Sequence, residues 1–323
     1  MPELDDYSVK NNLHTISFYN VENLFDVKND KKTFDDDFLP NSYKNWTADR
    51  YNNKLKKLSF AISNIGKTET GKHPALIGLA EVENAKVIRN LLNQENLKSC
   101  HYEFIHYDSL DERGIDVALI YDKTIFEVKH SEVFTIKLFN HDGSPDYTRD
   151  ILLVKGFLDG TLIHVIVNHW SSRREGEKES EEKRLIASNK VAEIISNVRN
   201  EDTEAKIIVM GDFNDDPSNE SIKNLLEKAN LFNPMETLRS FSRGSTNHNR
   251  QWNLFDQIFF TTNFFTHNLD TLAFDEANIF DPNFLKIMNG RFKGTPFRTY
   301  NGKRYEGGYS DHFPVYAIFK RNN

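Results

Sequence analysis

Residues 207–217 (IIVMGDFNDDP) constrain the fold more than any other stretch, because an apolar run ends abruptly in charged and polar residues. A run of β-branched and apolar residues predicts a buried strand. Gly211 relaxes the backbone where the strand ends, and Asp212 and Asn214 would leave an extended chain on the same side. The following Asp216–Pro217 step turns the chain toward a helix. Taken alone, the stretch is as consistent with an Asp/Asn turn as with a functional site.

The same pattern recurs along the chain, where strand-like runs end or begin at a polar residue with little local reason to be there. Asn20 ends the first run and Glu81 ends the second, and the other polar residues lie at later strand ends. The full set is Asn20, Glu81, Asn168, His169, Asp212, Asn214, Asp256, Asp311 and His312. Since loops at strand ends commonly carry function on a rigid sheet, we expect these side chains to share one edge of the fold.

Hydrophobic periodicity predicts many short strands and few helices. The predicted strands cover residues 13–19, 75–80, 102–107, 117–121, 126–133, 151–158, 162–168, 207–210, 255–261, 267–274 and 315–319, and the predicted helices begin near residues 47, 85, 179 and 220. Residues 26–46 are expected to form a surface loop, and residues 275–309 a structured loop at the functional site. Because several adjacent strands have no helix between them, we expect an α/β (α+β) four-layer sandwich of two packed, mostly antiparallel mixed β-sheets flanked by helices.

Composition bounds the domain organisation and the kind of metal site. No repeat, low-complexity stretch or flexible linker divides the 323 residues, which predicts one domain over residues 1–323 with its core at about 13–319. Hydrophobic residues make up 38% of the chain, enough for a packed core despite 28% charged residues. The single cysteine, Cys100, excludes an internal disulfide and a thiolate-rich metal site. Any metal must therefore be held by oxygen or imidazole ligands.

Charge and the amino-terminal sequence bear on partners and location. The net charge of −7 argues against a broad electrostatic grip on nucleic acid, although it leaves room for a local basic groove and agrees with carboxylates gathered around a cation. No apolar run is long enough to span a bilayer, so no membrane segment is expected. The acidic start lacks the basic-then-apolar pattern of a signal peptide, which predicts a cytoplasmic protein; the alternative is an exported form whose leader has been removed.

The polar residues at the strand ends share a chemical meaning. Oxygen ligands such as Glu81, Asp311 and Asn20 suit Mg²⁺ or Mn²⁺ and not Zn²⁺. A histidine beside a carboxylate can hold or deprotonate a water molecule. A second histidine and the asparagine side chains can donate hydrogen bonds to a phosphoryl oxyanion. Phosphate ester hydrolysis follows from this set more naturally than peptide or glycoside cleavage.

Five motifs occur in order at suitable spacings, and together they resemble the endonuclease/exonuclease/phosphatase superfamily, which has the deoxyribonuclease-I-like fold. The motifs are residues 18–25 (FYNVENLF), 78–82 (GLAEV), 168–170 (NHW), 211–215 (GDFND) and 309–315 (YSDHFPV). Each motif is weak by itself, but the set covers nearly the whole chain, from about residue 13 to residue 319. The resemblance implies this fold and a metal-dependent phosphoesterase.

The resemblance also implies roles for individual residues. Glu81 matches the principal metal ligand of the family, with Asn20 and Asp311 close to the same ion. One or two Mg²⁺ (or Mn²⁺) ions are implied, and the sequence leaves their number open. His169 matches a phosphate-binding histidine on a central strand.

The remaining matches concern the attacking water and the scissile phosphate. Asp212 matches the residue that positions or deprotonates the water, and Asn214 its neighbour that contacts metal or phosphate. His312 matches the histidine that contacts the scissile phosphate or acts as a base, and Asp256 the aspartate that orients it.

Several further residues are open to two interpretations. Arg149 and Arg113 lie in segments that border the family's site, so each is either a substrate-binding residue or a solvated surface residue. Asp116 is either a site residue or a turn residue. Five histidines without a surrounding motif are predicted to be exposed: His14, His73, His101, His106 and His141.

The loop over residues 275–309 contains aromatic rings that either stack on nucleic acid bases or pack onto the fold, and packing is favoured. The basic residues interleaved with these rings strengthen the alternative; they are Arg291, Lys293, Arg298, Lys303 and Arg304.

These observations predict a divalent-metal-dependent phosphodiester hydrolase, foremost an endonuclease or exonuclease of nucleic acid that acts by in-line attack of an activated water. One alternative is a phosphatase or phosphodiesterase for a small-molecule or lipid-derived phosphate, such as an inositol phosphate or a sphingomyelin-type headgroup. A non-catalytic binding protein on the same fold would require a gap in the set of site residues, and none is visible. No protein partner is inferred.

Overall fold

The computed structural model describes residues 12–140, 142–173, 176–248, 250–266 and 269–322. Within these residues the strands are β1 Leu13–Leu24, β2 Leu76–Val82, β3 Tyr102–His106, β4 Asp116–Asp122, β5 Phe126–Phe134, β6 Leu138–Phe139, β7 Pro145–Asp146, β8 Ile151–Leu158, β9 Thr161–His169, β10 Lys206–Asp212, β11 Leu231–Phe232, β12 Thr246–His248, β13 Gln251–Asn253, β14 Asp256–Thr261, β15 Leu272–Ile279, β16 Tyr300–Asn301, β17 Arg304–Tyr305 and β18 Val315–Arg321. The helices are α1 Ala48–Ile62, α2 Lys67–Thr70, α3 Ala85–Leu92, α4 Glu181–Glu201 and α5 Glu220–Ala229.

Two six-stranded sheets organise the fold. The first sheet has the order β15-β18-β1-β2-β4-β3, and the second has the order β11-β14-β10-β9-β8-β5. Each sheet has a parallel pair at its centre, β1 with β2 and β9 with β10, and its other neighbouring strands pair antiparallel. The carboxyl ends of both parallel pairs are therefore the strand ends at which the sequence places most of its conspicuous polar residues.

Alternating side chains on β10 show how the layers stack. Ile208 and Met210 belong to the core between the sheets, whereas Ile207 and Val209 pack with apolar residues of α4 and α5. The apolar faces of α1 and α3 join the core on the side of the first sheet. All seven residues of β2 are buried, as expected for a strand covered on both faces. This arrangement confirms the predicted four-layer sandwich.

Local sequence explains where the helices begin. The Thr47 side chain accepts a hydrogen bond from the Arg50 backbone N–H at the start of α1, and Asn84 accepts two backbone N–H groups at the start of α3. Both are residue types that satisfy the free N–H groups of a first helical turn. Among the residues described, no helix has the length and apolar character needed to cross a bilayer.

Several boundary predictions were wrong. β1 continues beyond residue 19 to Leu24, and β15 occupies Leu272–Ile279, so the predicted loop over residues 275–309 begins inside a strand. Part of the strand predicted over residues 267–274 lies outside the described residues, at positions 267 and 268. The segment predicted as a surface loop, residues 26–46, has no strand or α-helix and is mostly exposed, but it buries Phe38 and Trp46.

Two histidines that were predicted to be exposed are buried. The side chain of His14 is 4% exposed, and its Nε2 lies 2.9 Å from Asp159 Oδ2. The side chain of His106 is 2% exposed. His141 lies outside the described residues.

Candidate active site

The strand ends of the two sheets bring the predicted site residues together. In the second sheet, Asp212 is the register partner of His169 on one side and of Asp256 on the other. In the first sheet, β1 supplies Asn20 and β2 supplies Glu81. The Asn20 Nδ2 donates a hydrogen bond of 2.9 Å to Asp212 Oδ2, which ties the two sheets together at the site.

Left-handed backbone is concentrated around this site. Glu22, Asn23, Glu81 and Asn214 have φ values of 51°, 52°, 65° and 51°, in a region that residues other than glycine rarely adopt. Glu81 lies at an irregularity in the pairing of β2 with β4, and such a bulge re-aims a side chain. The Asn23 backbone N–H then donates to Glu81 Oε2 at 2.8 Å. The local chain conformation thus fixes where the Glu81 carboxylate points.

Asp212 is the centre of the polar network. Its Oδ2 lies 3.8 Å from His169 Nε2 and 3.9 Å from His312 Nε2, and its Oδ1 accepts the Asn214 backbone N–H at 3.0 Å. Burial raises the pKa of the Asp212 carboxyl to about 6, and the Asp256 carboxylate adds to this rise, while His312 opposes it. A carboxylate with such a pKa is suited to accept a proton near neutral pH.

His312 and Asp256 form a buried pair beside Asp212. The His312 Nδ1 lies 2.6 Å from Asp256 Oδ2, and the Asp256 side chain is fully shielded from solvent. Burial lowers the pKa of His312, but the carboxylates of Asp256 and Asp212 outweigh that effect and hold the pKa well above its usual value of 6.5. His312 is therefore held protonated and oriented.

Glu81, Asn20 and Asp311, which were predicted as oxygen ligands, line one cleft. Glu81 Oε1 lies 3.9 Å from His169 Nε2 and 3.8 Å from Arg113 Nη2. Two carboxylates with one carboxamide are the donor types that hard divalent cations take, so the residues present fit such an ion. The family generally uses a divalent metal. The ligand atoms of Asp212, Asp256 and His312, on the other side of the cleft, lie within 4.8 Å of one another.

Positively charged side chains surround the Asp311 carboxylate. Burial raises the pKa of the Asp311 carboxyl, but His312, Arg298 and Lys54 outweigh burial and hold the pKa below its usual value of 3.8. The Arg298 Nη2 lies 3.0 Å from Asp311 Oδ2. Asp311 is thus ionised at neutral pH, as a carboxylate that binds a cation must be.

An open cleft of ≈ 750 Å³ contains most of the predicted residues. Eight of the ten predicted site residues line it: Asn20, Glu81, Arg113, His169, Asp212, Asn214, Asp311 and His312. Asp256 lies behind His312 and does not line the cleft.

The structure does not bring Arg149 to the cleft. Its side chain is 8% exposed, and its two Nη atoms bond to Asp111 Oδ2 at 3.1 Å and to the Trp170 carbonyl at 2.8 Å. That same carbonyl accepts the Asn214 Nδ2 at 3.0 Å. Arg149 therefore lies behind the cleft surface, where its guanidinium binds the same Trp170 carbonyl that positions the Asn214 side chain.

Other residues at the cleft were not among those predicted for the site. Asn23 accepts a 2.5 Å hydrogen bond from Arg113 Nη2 and lines the cleft, as do Asn247 and His248 on the β12–β13 hairpin. Arg298 was recognised only as one of several basic loop residues. The two strands of the hairpin have three residues each and no apolar alternation, so the sequence pattern did not predict the hairpin.

A second cavity of ≈ 830 Å³ adjoins the first on the far side of this hairpin. Arg298 and Asp311 line both cavities. The second cavity also contains Arg250, Arg291 and Arg304, together with Phe292, which is 41% exposed. Although the chain has a net charge of −7, this second cavity forms an arginine-rich channel that adjoins the cleft, lined by Arg250, Arg291, Arg298 and Arg304.

Comparison with solved structures identifies the fold. An endonuclease/exonuclease/phosphatase family protein from Bacteroides thetaiotaomicron has 16% identity and a TM-score of 0.59, with 95% of this chain and 97% of that chain covered. The mannosyl-6-phosphatase of B. thetaiotaomicron has 15% identity and a TM-score of 0.57, covering 95% and 99%. TDP2 of D. rerio, complexed with single-strand DNA product, has 16% identity and a TM-score of 0.55, covering 95% and 99%.

At these identities the likenesses establish the fold alone, which is the deoxyribonuclease-I-like fold. The sequence itself matches the model of the endonuclease/exonuclease/phosphatase family over residues 15–321. The chain therefore belongs to that family, whose members are phosphoester hydrolases. A search of curated protein sequences gives no match.

Proposed function

We propose that the protein is a divalent-metal-dependent phosphodiester hydrolase that acts on nucleic acid. One observation carries this proposal: a buried Asp212, flanked by His169 and His312, faces an oxygen-ligand set across one cleft. The set consists of Glu81, Asn20 and Asp311. Proton acceptor, proton donors and cation ligands thereby converge where two sheets meet.

Glu81, Asp311 and Asn20 would hold Mg²⁺ or Mn²⁺, which supplies charge neutralisation at the phosphoryl oxygens when bound. On the other side, Asp212 is placed to take the proton of the attacking water. Its pKa of about 6 leaves it largely ionised at neutral pH. Asn214 fixes this carboxylate through its backbone N–H.

The two histidines would act on the phosphoryl group. His312 is held protonated by Asp256, so its Nε2 can donate to an oxygen on which negative charge develops. His169 Nε2 lies 3.9 Å from Glu81 Oε1 and 3.8 Å from Asp212 Oδ2, between the cation ligands and the proton acceptor. From there it can contact the phosphate, as can the partly exposed Arg113.

The arginine-rich channel favours a polymeric substrate. A phosphate monoester fills only the cleft, whereas a strand of nucleic acid continues past Arg298 and meets Arg250 and Arg291, which lie on the exposed surface. Arginine guanidinium groups bind phosphates, and an exposed ring such as Phe292 can stack on a base.

A small phosphorylated molecule is the second candidate substrate. The mannosyl-6-phosphatase shows that the same fold accommodates such chemistry, and the net charge of −7 favours it. Hydrolysis of single-stranded DNA, RNA, inositol phosphates and sugar phosphates, each with Mg²⁺, Mn²⁺ or a chelator, separates the two. Arg250→Ala together with Arg291→Ala should slow only the nucleic acids.

The phosphoesterase itself is tested with Glu81→Ala and His312→Ala on a generic phosphodiester. His312→Ala should lose activity by at least about 10²-fold, the lower range for loss of an acid–base group. Glu81→Ala should lose activity at sub-saturating metal by about 10–100-fold, because it removes a cation ligand. Far-UV circular dichroism should stay unchanged in both. Glu103→Ala and His130→Ala are matched controls, since those side chains are half-exposed and do not line the cleft. Near-wild-type turnover in either site variant contradicts the proposal. Absence of any Mg²⁺ or Mn²⁺ effect on activity or stability would favour a binding protein.

A further inference from the structure

A separate group of metal-ligating side chains lies where β3 ends and β4 begins. His106, Asp108 and Asp116 each offer one ligand atom, and these atoms lie within 4.8 Å of one another. The His106 and Asp116 side chains are 2% and 7% exposed, whereas that of Asp108 is 84% exposed. None of the three lines the active cleft. The group is therefore a buried His–Asp pair with a carboxylate on its outer side.

The spacing of the buried pair matches a bridging cation. His106 Nε2 is shielded from solvent without a hydrogen-bond partner, and it lies 3.7 Å from Asp116 Oδ2. A direct N–H···O bond would bring these atoms to about 2.7–3.2 Å, and a water bonded to both would hold them about 4.5 Å apart. An ion about 2.0–2.1 Å from each, with tetrahedral geometry, separates them by about 3.4 Å.

A backbone hydrogen bond orients the Asp116 carboxylate toward the histidine. Asp116 Oδ1 accepts the Ser109 backbone N–H at 3.2 Å, which leaves Oδ2 facing the histidine. On the other side of the ring, Asp108 Oδ1 lies 3.8 Å from His106 Nδ1. At this distance Asp108 does not accept a hydrogen bond from the ring, but it places a carboxylate beside the second ring nitrogen, where metal-binding histidines commonly have one.

Further carboxyl groups lie close to this buried pair. Burial raises the pKa of the Asp116 carboxyl to about 7, and Asp111 and Asp108 add to the rise. Asp150 lines the same small cavity as Asp116, and its Oδ1 is buried without a hydrogen-bond partner. A divalent cation between the ligands would offset the cost of burying these carboxyl groups.

We propose that His106 and Asp116, supported by Asp108, form a second cation site that takes an ion of the Zn²⁺ type. Mixed imidazole and carboxylate ligands favour Zn²⁺, whereas the oxygen-only set at Glu81 favours Mg²⁺ or Mn²⁺. The two sites therefore differ in the ion they select.

The site would fix the segment that carries Arg113. Asp116 is the register partner of Val82, directly after Glu81, and it holds the Ser109 backbone. Ser109 Oγ accepts the Asp111 backbone N–H at 3.2 Å, and Asp111 Oδ1 accepts that of Arg113 at 3.0 Å. A cation here would therefore hold in place the turn that sets Arg113 beside Glu81.

The test is Zn²⁺ binding, measured by calorimetry and by metal content after gel filtration in excess Mg²⁺, which occupies the oxygen-only set. Wild-type protein and the exposed-histidine control His130→Ala should retain one Zn²⁺ per chain that Mg²⁺ does not displace. His106→Ala and Asp116→Asn should lose it. Co²⁺ in its place should give the visible absorption of a tetrahedral ion in wild type and His130→Ala, but not in His106→Ala or Asp116→Asn.

Asp108→Asn tests the site without disturbing the fold, because the Asp108 side chain is exposed. We expect it to keep the wild-type circular dichroism spectrum and to weaken Zn²⁺ binding about 10-fold, as loss of a supporting carboxylate does. Equal Zn²⁺ content in wild type and His106→Ala overturns the proposal. Loss of the Mg²⁺-resistant ion in Glu81→Gln or His312→Ala instead also overturns it, because His312 belongs to the other mixed imidazole and carboxylate group. The measurement needs no hydrolysis, so it stands whether or not the proposed phosphodiesterase activity is found.

Discussion

The two sheets have the same central arrangement, a parallel strand pair that ends at the cleft, but these ends are built differently. In the second sheet, β9 and β10 keep their register to the last residue, so that Asp212 has His169 and Asp256 as direct cross-strand partners. In the first sheet, the register of β1 with β2 breaks after Asn20, and Glu81 has left-handed backbone at a bulge.

The difference corresponds to two kinds of chemistry. Proton transfer needs pairs of groups in contact, and regular pairing of neighbouring strands supplies such pairs. Cation binding needs several oxygens aimed at one point, which a flat strand edge does not offer. Left-handed residues cost of order 1–3 kcal/mol each and persist where the surrounding structure enforces them. Under the proposed function, the first sheet holds the cation and the second sheet moves the proton.

The largest expected effect separates these two roles. Asp212→Asn should lower kcat about 10³-fold, because the proton acceptor is gone, while the Mn²⁺ concentration at half-maximal activity stays at the wild-type value. Glu81→Gln should behave in the opposite way. It should raise that Mn²⁺ concentration about 10–100-fold, with much of the activity recovered at saturating Mn²⁺.

Metal-dependence curves of kcat for the two variants make the comparison, with the exposed Asp270→Asn as the control substitution. If Asp212→Asn shifts the metal dependence as strongly as Glu81→Gln does, the division of roles between the sheets is wrong.

Strand boundaries were predicted more closely at the regular end than at the bulged end. His169 and Asp212 were predicted where apolar strands stop and Asp256 where one begins, because strand periodicity is local. The bulge depends on distant contacts that no local pattern contains: Glu22 Oε2 accepts the Thr299 backbone N–H at 2.7 Å, although 277 residues separate them. The sequence could not show that β1 would continue through such a residue.

Two arginines illustrate the same limit. Arg149 was a candidate substrate ligand because of its motif, but the structure turns its guanidinium toward Asp111 and the Trp170 carbonyl. Arg298 was one of five basic residues in a loop, and only the folded loop sets it against Asp311. A motif fixes the segment near the site, whereas the side-chain direction depends on tertiary partners.

A smaller effect, of about 10-fold per pH unit, is expected in the pH dependence. The pKa of Asp212 is raised to about 6, mainly by burial, so the ionised acceptor is lost as the pH falls below about 6. His312 stays protonated over this range because its pKa is well above 6.5. Values of kcat/KM between pH 4.5 and 8 should therefore show one acidic limb, which disappears in Asp212→Asn.

Stability should move in the opposite direction to activity. Since the folded pKa of Asp212 exceeds the unfolded value near 3.8, this group's contribution to the free energy of unfolding is fully present below the unfolded pKa. It is lost as the pH rises through about 6. Asp212→Asn should thus gain stability relative to wild type at pH 8 but not at pH 4. If the acidic limb of kcat/KM persists in Asp212→Asn, the group that titrates near pH 6 in the activity profile is not Asp212.

The smallest effect on activity is expected where the sheets meet away from the cleft. A Cβ added to Gly78 would lie 2.6 Å from Met210 Sδ and 3.0 Å from a ring carbon of Phe18, so Gly78→Ala should cost about 1–3 kcal/mol in the free energy of unfolding. Met210→Ala leaves a cavity and should cost about 2–5 kcal/mol. In the double variant the new methyl group occupies part of that cavity, so the loss of unfolding free energy should be smaller than the sum of the two single losses by at least about 0.5 kcal/mol.

Urea unfolding of wild type, the two single variants and the double variant measures this coupling, and kcat and metal dependence at 25 °C should stay near wild type. Strict additivity of the two free-energy costs would mean that Gly78 and Met210 are not in close contact across the sheets. The different strand ends of the two sheets could then not be explained by tight packing of one rigid sandwich.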